Sequence, residues 1–562
     1  MHFLMSELPN DVDSHQNKET LIKSDHSENN LREDKNDFND VQDVNNKDLN
    51  VCEPIYTLEG LYETLKKPPM WVQNTIPLKE GGKCVILNEK DDCHVLEDKF
   101  EAKERINRDE TPKVLICHDM MGGYLHDKYI NGVNEGNGFT FHRWATTDIF
   151  CYFSHHFITI PTLPWINVAH RFGTAVIGTI ITEFTRGKAL CDQFLKSEAT
   201  YKQFADALVE ICILFKFEGW LLNIENPVDD PKLLLSFVKY LTDKLHVKIP
   251  KGYVIWYDSV TTEGNLEWQN ELNPKNKSYF DVCDGIYLNY AWDELKIKKS
   301  REMALNRNFN VYVGIDIWGR GSYGGGSFNA YQAAKVINNH KMSMAIFAHG
   351  WVHENNPKQP ESDFLKRYYS RSSLLWKLFW PYMYTRPIQE PFLTFFRTGV
   401  TTDHYNLELQ DVQPSFFPSH ALTKETIHVD VAKDVCRCIE ERLIDEHRCL
   451  LVMDNDLKDR VVVHRLFALD IEIKGKVRID AYTDAYKDSN LDYEVVVLLR
   501  DAKNRDEKVV CSSKMMLNLS HPRNWEHRRF ILDYPGCKLM EIGVKLISGN
   551  YLNIYGFGVA LE

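Results

Sequence analysis

Residues 220–225 read WLLNIE: a short apolar run that ends in an amide and a carboxyl. Seven other segments share its texture of β-branched and aliphatic residues closing on polar or aromatic ones. They are KVLICHD (113–119), IFCYFSHHF (149–157), GTAVIGTIITE (173–183), YVIWYDS (253–259), GIYLNYAW (285–292), VYVGIDIW (311–318) and MAIFAHGW (344–351). Helical segments separate several of them, at 197–217 before the WLLNIE run, 231–245 before YVIWYDS and 329–340 before MAIFAHGW. Eight buried strands alternating with helices predict an α/β fold of the (β/α)8 (TIM) barrel type. The alternative is an open doubly wound sheet, which would ordinarily carry a Gly-rich turn after its first strand. None follows Val114. A helix at 362–380 is expected to close the barrel.

Beyond Pro387 the texture changes to strands without intervening helices, among them VVVHRLFALDIEI, YEVVVLLRD and NIYGFGVALE. This predicts a C-terminal β-sandwich accessory region over 398–562, after a catalytic barrel over 56–397. Residues 1–55 are assigned to a disordered acidic tail, because apolar residues there are too sparse to offset the entropy of ordering. The first fifty residues hold twelve Asp/Glu against five Lys/Arg, a balance of −7 that leaves −6 of the total −13 to the rest of the chain. The acidic balance therefore belongs mostly to the tail, and it argues against nucleic acid as a partner.

The 13 cysteines show no metal-ligand spacing, and Cys436 and Cys438 form only a C-x-C pair. They read as reduced thiols of a cytosolic protein. MHFLMSELPN carries no basic or apolar signal region, no stretch of apolar residues is long enough to span a membrane, and the sequons at Asn276 and Asn518 read as chance matches. No membrane partner is expected, and oligomeric state stays open. His155/His156 and His349/His353 lack the H-E-x-x-H context of a metal site, so neither a metal nor any other cofactor is expected.

Chemistry in a barrel sits at the C-terminal ends of strands. Side chains alternate along a strand, so Leu221, Asn223 and Glu225 share one face while Trp220, Leu222 and Ile224 share the other. With the second set against helices, Asn223 and Glu225 stand together at the barrel mouth. A carboxyl in a dry aromatic site is kept protonated and can serve as general acid in glycoside hydrolysis. An amide two residues earlier cannot be the second carboxylate, but it can hold a substrate acetamido group that attacks in its place. Such a pair can equally cap a strand, and spacing alone does not separate the two readings. Tyr257 is expected beside it if the face it shares with Ser259 points inward. Trp144, Trp165, Trp268, Tyr290, Trp292, Trp318 and Trp351 lie near strand ends, where aromatic rings stack on the C–H faces of sugars.

FEGWLLNIEN, VIWYDSV, YLNYAW, VGIDIWGRG and AHGWVHE, in this order, resemble the endo-β-N-acetylglucosaminidases of glycoside hydrolase family 85, in particular their cytosolic animal branch. The resemblance covers roughly 65–400. It implies a (β/α)8 enzyme without cofactor that cuts between the two core N-acetylglucosamines of N-glycans, on free oligosaccharides or glycoproteins in the cytosol. Carried over by motif, it implies Glu225 as general acid/base, Asn223 as the residue that orients the acetamido group, and Tyr257 at the oxazolinium intermediate. Trp268 and Trp292 are implied to line the cleft, and Tyr290, Trp144, Asp316 and Trp351 complete the expected substrate-binding set. His349 and His353 depart from the Pro and Tyr expected there.

Overall fold

The computed structural model describes residues 51–79, 82–85, 94–130, 138–360, 363–394, 398–400, 416–421, 439–444, 447–453, 462–484, 492–511, 515–517, 525–548 and 551–562. The acidic tail lies outside them up to residue 50. Its last residues do not: Cys52 and Ile55 are buried in the outer core, and Ile55 exchanges two backbone hydrogen bonds of 2.9 Å with Ile158.

Eight parallel strands form the barrel. They are β1 (Val114–His118), β2 (Ile149–Tyr152), β3 (Ala175–Glu183), β4 (Gly219–Glu225), β5 (Tyr253–Tyr257), β6 (Gly285–Leu288), β7 (Val311–Asp316) and β8 (Ser343–Phe347). Each pairs in parallel with the next, β8 pairs with β1, and the ring is complete. An open sheet is thereby excluded. All eight correspond to the apolar runs, although several strands stop short of the run that contains them.

The interior is filled by alternate residues, including Leu115, Cys117, Ile149, Cys151, Ile177, Ile181, Leu221, Ile255, Tyr287 and Tyr312. Their neighbours along each strand, such as Trp220, Leu222 and Ile224, pack outward into a larger core shared with the helices. The helix Glu198–Phe215 shows why. Ser197 caps its first turn, accepting from the Thr200 N–H at 3.3 Å while its own N–H donates to Thr200 Oγ1 at 2.9 Å. Its apolar stripe of Phe204, Leu208, Ile211, Cys212 and Phe215 is fully buried. Lys216, in the left-handed region at φ 57°, ends it and turns the chain into β4.

Among the described residues, two large antiparallel sheets follow the barrel, beside a two-stranded one of Thr398–Val400 and Phe416–Ala421. One includes Lys476–Asp484, Trp525–Asp533 and Tyr551–Leu561; the other includes Val462–Glu472, Asp492–Arg500 and Lys538–Ser548. Val477, Ile479 and Phe530 of the first meet Val495, Val497 and Ile542 of the second in one core, which makes the pair a sandwich. Its membership crosses the expected boundary. His94–Leu96, ahead of the barrel, pairs with Val462–His464, and Phe392–Thr394 pairs with Phe557–Val559. Three-residue strands are too short to show a period in the sequence.

At the N-terminal end of the barrel lies a buried ion cluster. The Asp148 carboxylate, just before β2, accepts the Val114 N–H at 2.7 Å, Arg108 Nε at 2.7 Å and Arg386 Nη2 at 2.9 Å. All three charged residues are buried. Arg386 Nη1 also donates to the Thr147 carbonyl at 2.6 Å. The cluster joins β1 and β2 to segments on both sides of the barrel. Asp148→Ala would leave two buried guanidinium groups without a counter-charge, and is expected to cost about 3–5 kcal/mol. Denaturant unfolding of the variant beside the parent chain measures this; a loss under about 1 kcal/mol would show the cluster to be dispensable.

Candidate active site

At the C-terminal end of the strands lies a cavity of about 220 Å³. Asn223, Glu225 and Tyr257 all line it, with Asp119, His155, Tyr290, Asp316 and Arg320. The alternation expected for β4 holds, with Leu221 inside the barrel and Trp220, Leu222 and Ile224 outside.

Burial pushes the Glu225 carboxyl up from its ordinary value to about 7, and the charge of Glu183 adds to the rise. A hydrogen bond from the Trp268 side chain and the charge of His155 oppose it. Asn223 is 4% exposed, and its Oδ1 has no hydrogen-bond partner among the described residues. A buried amide oxygen left unpaired costs free energy unless a ligand satisfies it. Tyr257 donates its O–H to Asn289 Oδ1 at 2.8 Å, and burial pushes its phenol well above the usual range. Among the described residues, no three His, Cys, Asp or Glu converge to hold a metal ion.

The expected aromatic rim divides into rings at the cavity and rings packed in the core. Trp268 is 44% exposed and reaches Glu225, and Tyr290 lines the cavity with its hydroxyl 3.3 Å from that of Tyr287. Trp144 is fully buried: it precedes β2, hence lies at the opposite end of the barrel, and its Nε1 donates to the Phe141 carbonyl at 3.2 Å. Trp292 is 4% exposed, stacked on Tyr323 at 5.1 Å with its Nε1 donating to the Gly314 carbonyl at 2.8 Å. Trp351 packs edge-on to Phe328 and against Arg371, away from the cavity lining. Trp165 is also fully buried, its Nε1 donating to Asp127. Trp144, Trp165 and Trp292 belong to the core between barrel and helices, and Trp351 packs against that core half-buried. Phe153, Tyr257, Tyr287, Tyr290 and Phe347 supply the aromatic wall instead. Asp316 reaches the cavity while its carboxylate holds Arg320 Nε at 2.8 Å and the Trp318 N–H at 3.0 Å, folding the Gly-rich loop back over β7. His349 points away from the cavity, into the outer aromatic core beside His118, Phe141 and Trp376.

Three contributors went unread in the sequence. Glu183 ends the GTAVIGTIITE run as Glu225 ends WLLNIE, and it sits beside Glu225 in register. The same rule that picked out Glu225 finds it. His155, weighed only as a metal ligand, lines the cavity and bonds Glu183 Oε2 through Nδ1 at 3.1 Å. Asp258 lies on the face opposite Tyr257 and folds the next loop. It accepts the backbone N–H of Asn270 at 2.6 Å and of Gln269 at 3.3 Å, and Asn276 Nδ2 at 2.9 Å. Gln269 and Asn270 directly follow Trp268.

The family model for glycosyl hydrolase family 85 matches residues 124–404. The chain belongs to this family. It is 40% identical over 339 residues to cytosolic endo-beta-N-acetylglucosaminidase 1 of Arabidopsis thaliana, covering 57% of this chain and 49% of that protein. The human cytosolic endo-beta-N-acetylglucosaminidase is 40% identical over 323 residues, covering 55% of this chain and 42% of that protein. The chain thus spans about half the length of the curated relatives it matches. In fold it is similar to the glycoside hydrolase domain of Endo-D from Streptococcus pneumoniae, with a TM-score of 0.66 at 14% identity, over 91% of this chain and 83% of that one.

Asp258→Ala removes the acceptor for two loop amides and for Asn276. The amides of Gln269 and Asn270 should then exchange with solvent at least about tenfold faster, since each lost bond to a carboxylate is worth about 1.5 kcal/mol or more. Hydrogen–deuterium exchange over 266–272 reads this, and unchanged protection would show that the loop is held by other contacts.

Proposed function

We propose that this family 85 protein is an endo-β-N-acetylglucosaminidase that hydrolyses the β-1,4 bond between the two core N-acetylglucosamines of N-glycans. The observation that carries the reading is the pairing on β4 of a carboxyl held near neutrality with a buried amide oxygen that has no partner among the described residues. The names of the relatives agree with it, and the word cytosolic in those names supports free oligosaccharides or misfolded glycoproteins of the cytosol as substrates. Among the described residues no helix is long and apolar enough to cross a membrane.

The chemistry follows from the side chains. In the first step the Glu225 carboxyl gives its proton to the glycosidic oxygen as the bond from C1 to that oxygen breaks. The carbonyl oxygen of the sugar's own 2-acetamido group attacks C1 from the other face and forms an oxazolinium. Asn223 Oδ1 accepts the acetamido N–H and aims the carbonyl at C1. Tyr257, in the lining of the same cavity, supports the intermediate. In the second step water attacks C1, the oxazolinium ring opens, and the Glu225 carboxylate takes the proton from water. Two inversions leave the configuration retained, as substrate-assisted glycosidases do without a carboxylate nucleophile.

Incubation with a high-mannose glycoprotein and measurement of its intact mass tests the reading. One N-acetylglucosamine should remain on each cleaved asparagine. No mass change would favour a catalytically silent carbohydrate-binding barrel, and complete glycan loss with conversion of Asn to Asp would mark an amidase. Glu225→Gln should lower hydrolysis of the natural glycan by about a thousandfold or more, with the fold intact. Asn223→Ala should lose a comparable share; full activity in that variant would sink substrate assistance.

The pH dependence has a definite sign. Glu225 must carry its proton in the first step, and burial keeps that proton on up to about pH 7. Above that pH the active form falls about tenfold per unit, so kcat/KM should descend on the alkaline side with a midpoint near neutrality. A flat profile to about pH 9 would exclude Glu225 as the acid.

A further inference from the structure

Parallel pairing of β3 with β4 sets Glu183 in register with Glu225, after Ile181 with Asn223 and Thr179 with Leu221. Register partners on neighbouring parallel strands point to the same face, with the strands about 4.8 Å apart. Two carboxyl groups therefore stand side by side at the mouth of the barrel. Glu183 is steadied there by His155, whose Nδ1 lies 3.1 Å from its Oε2. The Glu183 side chain is 20% exposed and that of His155 56% exposed, so the pair forms a wet shoulder to the drier site of Glu225.

The other ionisable groups around Glu225 leave this role to Glu183. Besides His155, those of the cavity lining are Cys117 from β1 and Asp119 after it, Tyr257 from β5, Tyr287 and Tyr290 from β6 and beyond it, and Asp316 with Arg320 from β7 and beyond it. Arg320 is engaged by Asp316, burial pushes the Asp119 carboxyl up, and the thiol and the three tyrosines are neutral. Within β4 itself Glu225 has only the uncharged Asn223 beside it.

We propose that Glu183, braced by His155, is the positioning residue for the proton of Glu225: it keeps that proton on the carboxyl until the glycosidic oxygen takes it. The inference rests on the function proposed above. Two neighbouring carboxylates resist ionising together, so the charge on Glu183 favours the protonated form of Glu225 at the start of the reaction. Once the proton has left, the same repulsion makes the Glu225 carboxylate a stronger base toward the water of the second step. His155 limits the effect. Its bond to Glu183 pushes its own pKa up, and its positive charge favours the ionised form of Glu225.

The pH profile of kcat/KM on one glycopeptide tests this, with circular dichroism to confirm the fold of each variant. Glu183→Gln should move the alkaline limb down, so that at about pH 8 its rate falls roughly tenfold below the parent while KM changes little. Glu183→Asp should restore most of the shift. His155→Gln should move the limb the opposite way, because it removes the positive charge and leaves Glu183 uncompensated. An unmoved limb, or a shift of both variants in the same direction, overturns the inference. So does a loss of several orders of magnitude at every pH, which would make Glu183 a nucleophile instead. The Glu225 carboxyl is also titrated directly by infrared difference against Glu225→Gln, in the presence and absence of Glu183→Gln. That measurement needs no turnover. An inactive parent with a shifted titration sinks the proposed function and leaves this inference standing, and an active parent with an unshifted titration does the reverse.

Discussion

A ring of eight parallel strands closes only if each strand gives one face to the interior, and the site depends on that constraint. The inner face of β4 is Leu221, Asn223, Glu225, in order from the packed interior to the mouth. Leu221 lies among Leu115, Ile149, Ile177 and Ile255, a hydrocarbon layer with no place for charge. Two residues further the inner face opens on the cavity, so an amide is tolerated, and two residues beyond that a carboxyl. A shift of β4 by one residue would turn Asn223 and Glu225 outward against the helices and bring Trp220, Leu222 and Ile224 inside. Closure, register and chemistry therefore stand or fall together.

The two ends of the barrel treat buried charge in opposite ways. At the N-terminal end the Asp148 carboxylate is met by two guanidinium groups and a backbone N–H, so its charge is compensated by geometry. At the C-terminal end Asp119, Glu183, Glu225 and Asp316 share the mouth with Arg320 and His155. Arg320 is spent on Asp316 and His155 on Glu183. Glu225 keeps no cation of its own, and burial takes it to about 7. Charge without a compensating partner gathers at the cavity, the arrangement by which candidate active sites are told from structural ion pairs.

The periodicity of the sequence was enough to read the barrel, because fully buried strands must be apolar throughout and their runs stand out between amphipathic helices. The face of Tyr257 stayed open in the sequence, whereas the shared face of Asn223 and Glu225 was legible, because side chains alternate along a strand and Trp220, Leu222 and Ile224 could be set against the helices. The Trp residues were not legible. A tryptophan near a strand end in sequence can belong to the end before the strand, as Trp144 does, or fold back under the rim, as Trp292 does over the Gly314 carbonyl. Nothing in the local pattern tells these from Trp268, whose exposure is decided by a loop that Asp258 ties down. Glu183 needed the register between two strands, which a single chain does not print. The sandwich was legible in its long strands, but not in His94–Leu96 or Phe392–Thr394, whose partners lie far away in sequence.

The acid and the tyrosine are also connected through a line of amides. Tyr257 donates to Asn289, Asn289 Nδ2 donates to Asn270 Oδ1 at 2.9 Å, and the Asn270 N–H donates to Asp258. Asn270 itself stands at φ 56°, a left-handed backbone that a side chain adopts only when its surroundings hold it there. Its side-chain oxygen accepts the Ala291 N–H at 2.9 Å as well, so one residue binds the loop after β5 to the loop after β6. This strained position sits two residues beyond Trp268, the ring that reaches Glu225. The orientation of the tyrosine, the height of the tryptophan over the acid, and the path of two loops are thus set by a single hydrogen-bonded unit. Each side chain is fixed by a partner on a different strand end, which is how loops reach the precision that catalysis asks of rigid elements.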